Sequence, residues 1–213
     1  MHLVLVRHAL PERIDPDAVD PRTGKADPGL TELGRRQAER LAKALAEPAP
    51  DAVYTSTMTR AVETAAPLVD ALGTTAVARP DLCEYDAEAG FYIPVHEMAR
   101  SHPEVWERMR AGHLPPSVDV PAFSARVGAA MEEIIAAHPG RATAVVVAHA
   151  GVINVYLARL LGIDRPLAFP LDYTGITRVI ASRDGLRKVR TVNEIAHVAD
   201  LLDPVAGNRW SGR

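Results

Sequence analysis

The sequence predicts an α/β fold: a three-layer α/β/α sandwich around a mostly parallel central sheet. Two observations carry that prediction. Short runs of branched aliphatic residues alternate along the chain with stretches whose apolar positions recur at helical spacing, the order that builds parallel strands with covering helices. The clearest runs, Leu3–Val6 and Ala144–Ala148, are apolar at every position, as strands covered on both faces of a sheet must be. With 213 residues the chain suffices for a single domain, read as 1–213, carrying a cap or insertion at about 86–120.

Taken in order, residues 3–7 form the first strand. Residues 9–30 contain Pro11, Pro16, Pro21, Pro28, Gly24 and Gly29, which predicts a long irregular loop, a feature more often functional than idle. Thr31 then caps a helix with Glu32 in its first turn and Leu33, Gln37, Leu41 and Leu45 on one stripe, stopped by Pro48 and Pro50. A second strand covers 51–55. Ser56 or Thr57 is expected to cap the next helix, Pro67 to kink or split it, and Gly73 to end it. A third strand fits 75–79. The stretch 86–120 is irregular, with short helices around His96–Ser101 and Pro103–Arg110. A helix over 121–138, a strand over 142–148 and a helix over 150–161 follow. Segments 175–182 and 187–193, joined at Arg183-Asp184-Gly185, read as a hairpin.

Composition narrows the function classes. A formal net charge of -3 gives no basic footprint, so nucleic acid is not an expected partner and any anion site must be a local cluster. Cys83 is the single cysteine, which excludes an internal disulfide and suits a reducing compartment. No apolar run approaches the ~20 residues of a membrane helix, and Arg7 interrupts the N-terminal apolar run, so no membrane or signal segment is expected and the predicted location is cytoplasmic.

The polar residues gather at one edge of this predicted sheet. Arg7 and His8 leave the first strand, Arg60 lies in the first turn after the second, Glu84 follows the third, and His149 leaves the fourth. Ligands of open α/β sheets bind outside these carboxyl ends. Two guanidinium groups, two imidazoles and a carboxylate converging there describe a phosphate site with an acid beside it. The helix beginning at Ala150 adds backbone N–H groups and a positive dipole end. Asp81, Asp86 and Glu88 compete with Glu84 for the acid's place. His2, His96, His102, His113, His138 and His197 read as surface or packing residues, with His102 and His113 as exceptions if the insertion folds over the site.

These residues sit in motifs that resemble the histidine phosphatase superfamily, which includes cofactor-dependent phosphoglycerate mutases. Leu5-Val6-Arg7-His8 is similar to that family's first signature, and Leu30–Ala38 to its first helix. Ser56-Thr57-Met58-Thr59-Arg60-Ala61 resembles its second signature. Leu82-Cys83-Glu84, Ala148-His149-Ala150-Gly151 and Asn193–His197 follow in the family's order. Ala9 and Ala150 depart from it, standing where glycine is usual, and a positive φ at either would be strained. Ala9-Leu10-Pro11-Glu12 also lacks the acidic, tryptophan and asparagine residues of the mutase branch, which favours a phosphatase-type member.

The resemblance implies the following chemistry. Neutral His8 attacks phosphorus to give a phosphohistidine. Arg7, Arg60 and His149, with Ala150 beside them, bind the phosphoryl oxygens, and Glu84 serves as general acid and then base. No cofactor and no metal are called for. The alternatives are mutase-type phosphoryl transfer and a non-catalytic module that binds a phosphorylated ligand. Expected partners are a small phosphorylated metabolite or a phosphoprotein, with monomer or homodimer left open.

Other phosphatase and hydrolase patterns fit less well. Position 89, six after Cys83, is Ala89 rather than the arginine of a cysteine phosphatase. Asp15-Pro16-Asp17-Ala18-Val19 hints at a magnesium-dependent aspartate nucleophile but lies in the proline-rich loop. His96-Glu97-Met98-Ala99-Arg100 lacks a zinc protease's second histidine, and there is no P-loop or Gly-x-Ser-x-Gly elbow. For the leaving group, Phe91, Tyr92, Trp106 and Met109 are candidates for an apolar pocket, and Arg100, Arg108, Arg110, His102 and His113 for a second anion site.

Overall fold

The computed structural model describes residues 1–19 and 22–202, and the side chains of Val95 and His96 lie outside that description. Pro21 of the predicted loop, the side chain of His96 and positions 203–213 of the predicted domain are therefore outside the described residues. Strands His2–Arg7 (β1), Ala52–Ser56 (β2), Val77–Arg79 (β3), Thr143–Ala148 (β4), Ile176–Ala181 (β5) and Arg187–Glu194 (β6) form one sheet in the order β3-β2-β4-β1-β5-β6. The first four run parallel, while β5 pairs antiparallel with β1 and β6 antiparallel with β5. The helices are Glu32–Leu45 (α1), Thr59–Leu72 (α2), Val95–Ser101 (α3), Pro103–Arg110 (α4), Val120–Ala137 (α5) and Ala150–Leu161 (α6).

The continuous apolar runs have a simple cause. Successive strand residues point to opposite faces, and here both faces are covered. Leu3, Leu5, Ala144 and Val146 pack with Val127, Met131 and Ile134 of α5 and Val152 and Tyr156 of α6. Their neighbours Val4, Val6, Val145 and Val147 pack with Leu41 and Leu45 of α1 and Ala61, Ala65 and Leu68 of α2. The register Arg7↔Ala148 and Thr55↔Val147 brings the exits of β1, β2 and β4 level at one edge. A site can form there only because β1 and β4 lie side by side, although some 140 residues separate them.

Three details differ from the sequence expectation. Pro67 lies inside α2 without splitting it. Ala61, Ala65 and Leu68 on both sides of it are buried against the sheet, and that packing outweighs the lost backbone hydrogen bond. Neither Ser56 nor Thr57 caps α2, whose N-cap is Met58. Asp27, far back in the long loop, does so instead, accepting from Thr59 N at 2.9 and 3.1 Å and from Thr59 Oγ1 at 2.7 Å. The third strand ends at Arg79 as expected, where Pro80 begins a short 3-10 segment, but it starts at Val77, the first residue paired with β2, rather than at 75.

The loop 9–30 is irregular but fastened. Ile14 and Tyr92 exchange backbone hydrogen bonds of 3.0 and 2.8 Å, and Ala26 N donates to Ala89 O at 2.7 Å. Leu30 N donates to Glu63 of α2 at 2.7 Å. The chain then enters α1 beneath its own loop: Thr31 N donates to Leu10 O at 3.0 Å, and the Thr31 hydroxyl accepts from Gly34 N at 2.9 Å. A Cβ on Gly34 would meet Leu10 O, a backbone atom, at 2.1 Å. Gly34→Ala is therefore expected to cost about 1–3 kcal/mol through overpacking, and Thr31→Ala about 1 kcal/mol through loss of the cap. Urea denaturation midpoints measure both, and an unchanged midpoint in Gly34→Ala would show that the loop yields freely.

Candidate active site

β1 delivers Arg7 and His8 to the sheet edge, where both are buried. Arg7 Nη1 donates to Leu171 O, and the guanidinium carbon lies 3.9 Å from the centre of the Tyr173 ring. Arg60, in the first turn of α2, is 1% exposed. Its Nη2 donates to Asp86 at 2.8 Å, and Tyr92 lies beneath its guanidinium at 4.7 Å. His149 ends β4 and is the N-cap of α6; its Nε2 pairs with Ser56 Oγ at 2.7 Å. The rings of His8 and His149 stand 5.2 Å apart.

His8 is held in one tautomer. Its Nδ1 lies 2.8 Å from Ala9 O, a group that only accepts, so Nδ1 carries the proton and Nε2 keeps its lone pair. Ala9 N donates in turn to Thr64 Oγ1 at 2.9 Å, which fixes the peptide that fixes the ring. Burial first, then the nearby charge of Arg60 and Arg7, holds the His8 pKa well below its ordinary value. Burial and Arg60 likewise hold His149 neutral.

Glu84 and its three competitors differ in their partners. Asp81 pairs with Arg79 at 2.6 Å, Glu88 with Lys25 at 2.6 Å, and Asp86 with Arg60 at 2.8 Å. The Glu84 carboxylate accepts from Gly151 N at 2.7 Å and Tyr85 N at 3.1 Å. Burial, reinforced by Asp86, raises its pKa to about 7. Thus Gly151 N–H at the start of α6, one of the groups expected to face an anion, is already engaged by Glu84. Arg7, His8, Arg60, Glu84, Ala150 and Gly151 line one cavity of about 90 Å³. Buried donors face no partner among the described residues: Arg7 Nε, Arg60 Nε and Nη1, and His149 Nδ1. Unpaired buried donors are costly, and an anion would satisfy them.

Ala9 and Ala150 both avoid positive φ; the described non-glycine residues that adopt it are Thr174 and Asn193. Thr174 N bonds Arg7 O at 3.0 Å, and Asn193 holds the preceding turn by accepting from Asp172 N at 2.8 Å. The segment 86–120 contributes Tyr92, Ile93, Met98 and Met109 to the cavity wall. Four of the proposed second-anion residues do not converge there. Arg108 is spent on Leu114 O, Arg110 on Glu107, and Arg100 and His113 are exposed. Asp15-Pro16-Asp17 lies on an exposed turn beside Arg13, away from the cavity.

Sequence reasoning did not single out Ser56 and Thr64 as supports, Tyr173, or Arg126. Arg126 of α5 donates to Asp81 O at 2.7 Å and Cys83 O at 2.9 Å and so positions the acid segment. Ser56 and Thr64 flank Arg60 in the second signature and were findable there. Tyr173 and Arg126 carry no local signal.

The histidine phosphatase superfamily (branch 1) model matches residues 3–194. The chain belongs to that superfamily. It is 29% identical over 166 residues to phosphoserine phosphatase 1 of Hydrogenobacter thermophilus, covering 76% of this chain and 77% of that one. A second protein of the same organism is 30% identical over 207 residues, covering 93% and 98%. Among solved structures, a mycobacterial glucosyl-3-phosphoglycerate phosphatase bound to VO3 superposes with a TM-score of 0.72 at 23% identity, covering 90% of this chain and 98% of that one. A phosphoserine phosphatase of Entamoeba histolytica, the H9A mutant with phosphoserine, gives a TM-score of 0.71 at 20% identity, covering 92% and 98%. Both share the phosphoglycerate mutase-like fold. Among the described residues, no helix is long and apolar enough to cross a membrane.

The buried histidines have a measurable consequence. An unfolded chain takes up a proton on each near pH 6.5, whereas the folded site resists it, so stability falls as pH drops below that value. Replacing His8 by Ala is expected to flatten the dependence between pH 6 and 5 by up to about 1.4 kcal/mol per pH unit. Denaturant titrations at several pH values measure it, and parallel slopes for wild type and variant would refute a neutral buried His8.

Proposed function

We propose that this protein is a metal-independent phosphomonoester hydrolase that works through a phosphohistidine on His8. The observation that carries the reading is the single tautomer of His8 inside a cavity whose buried donors await an anion. In this reading Nε2 of His8 attacks phosphorus in line, and the bond to the leaving alcohol breaks. Arg7, Arg60 and His149 stabilise charge on the equatorial oxygens, with Ala150 forming the adjacent wall. Glu84, protonated near neutrality, gives its proton to the departing alkoxide. It then takes a proton from water as that water attacks the phosphohistidine, releasing phosphate and restoring His8.

The relatives' names support a phosphatase acting on a small phosphorylated metabolite. The whole chain, 1–213, then works as one domain, with the segment at about 86–120 as the cap that closes the cavity.

A rapid quench into alkaline denaturant should trap acid-labile phosphate on wild type and none on His8→Ala, with turnover unaffected by chelator. Complete loss of activity in chelator would overturn the metal-independent route. Glu84→Gln is expected to lower kcat for alkyl esters by about 10²–10⁴-fold. For wild type, kcat/KM should fall above pH about 7 as Glu84 loses its proton. A profile flat to pH 9 would remove Glu84 from the acid's role. Gly151→Ala, whose Cβ would stand 2.3 Å from Glu84 Oε1, should displace that carboxylate and lower kcat more than tenfold at unchanged fold.

A further inference from the structure

The 90 Å³ cavity opens onto a much larger groove of about 1090 Å³, and the two share Glu84, Tyr85, Asp86, Tyr92, Ile93 and Met98. That continuity makes the groove the place of the group attached to the phosphoryl oxygen. This step rests on the reading of the smaller cavity as the phosphoryl site. Its surface is largely apolar: Phe91, Ile93, Met98, Val105, Val118 and Phe123 come from the cap and the start of α5. Phe91, 41% exposed, lies parallel to the imidazole of His102, with centroids 5.8 Å apart and planes 6° from parallel. Tyr85 meets Phe123 edge-on.

Charge decides what this groove accepts. Its cations are Lys25 and Arg126. Lys25 is neutralised by Glu88 at 2.6 Å, and both terminal nitrogens of Arg126 are bound to the carbonyls of Asp81 and Cys83. Of its carboxylates, Glu88 is paired with Lys25 and Asp86 with Arg60, while Asp27 and Asp119 cap α2 and α5 and add negative charge. A substrate carboxylate entering here would lose hydration and meet no free cation among the described residues, which is costly. Phosphoserine and 3-phosphoglycerate both carry such a carboxylate beside the ester.

We infer that the groove selects phosphomonoesters of uncharged, largely apolar alcohols, with an aromatic or comparable flat group seated against Phe91 and Met98, and disfavours esters that carry a carboxylate. The protein therefore differs in substrate class from the phosphoserine phosphatases it resembles. Its shared clamp grips only the phosphoryl group, while the cap reads the rest.

Affinity and turnover test this separately. The methylene phosphonates of 3-phenylpropyl phosphate and of phosphoserine cannot be hydrolysed, so calorimetry reads the groove whatever the chemistry does. The phenyl phosphonate is expected to bind wild type at least about tenfold more tightly, the worth of one buried aromatic group. Phe91→Ala should erase most of that advantage and leave the phosphoserine analogue within about twofold. Equal or tighter binding of the phosphoserine analogue would overturn the inference, as would a Phe91→Ala variant with unaltered preference. Turnover of 3-phenylpropyl phosphate and phosphoserine, both alkyl esters, reports on the hydrolase reading. Preference in binding with no turnover of either ester would fail that reading while leaving the groove's selectivity standing.

Discussion

Two guanidinium groups buried within one small cavity set the terms for everything around them. A buried cation is tolerated only when its field is met, and Arg7 and Arg60 are met in parts. A backbone carbonyl and the face of Tyr173 meet Arg7, and Asp86 and the face of Tyr92 meet Arg60. The parts left over are buried donors with no partner among the described residues, on side chains that line the cavity. The same positive field, added to burial, keeps both imidazoles uncharged. Asp86, in neutralising Arg60, also raises the proton affinity of Glu84 next to it. One electrostatic arrangement thus gathers unpaired cationic donors, two neutral imidazoles and a carboxyl of raised pKa in one place.

The support for this arrangement comes from far along the chain. Asp27 in the long loop caps α2 and so sets the turn that carries Arg60. Ile14 pairs with Tyr92, joining that loop to the cap at the residue lying under the same guanidinium. Arg126 braces the acid segment from α5, and Asn193 braces the turn that meets Arg7. The loop 9–30 and the cap, irregular when taken alone, constrain one another. Their backbone hydrogen bonds to one another explain why the loop 9–30 holds a shape with little regular secondary structure.

In the proposed reading the sheet edge carries the chemistry and the segment 86–120 the selectivity. Residues at the strand ends line the small cavity, and their geometry is fixed by strands that cannot shift register without turning their side chains to the wrong face. The cap walls are apolar side chains on short helices, where substitutions alter shape and charge without disturbing the clamp. A superfamily can therefore keep one reaction centre while its members accept different alcohols.

By itself the sequence determined the sandwich, the strand exits and five residues gathered at them, because hydrophobic periodicity and strand-end placement are local and survive in one dimension. Thr31 as the cap of α1 and the hairpin of β5 and β6 were legible for the same reason. Other features were decided only in three dimensions. Which of four neighbouring acids is left without a basic partner beside the cavity depends on which cations claim the other three. The cap of α2 depends on a carboxylate 32 positions away. The tautomer of His8 and the charge of the groove arise from groups with no fixed spacing in sequence. Such properties belong to burial and to summed electric fields, which exist only once the chain has closed around them.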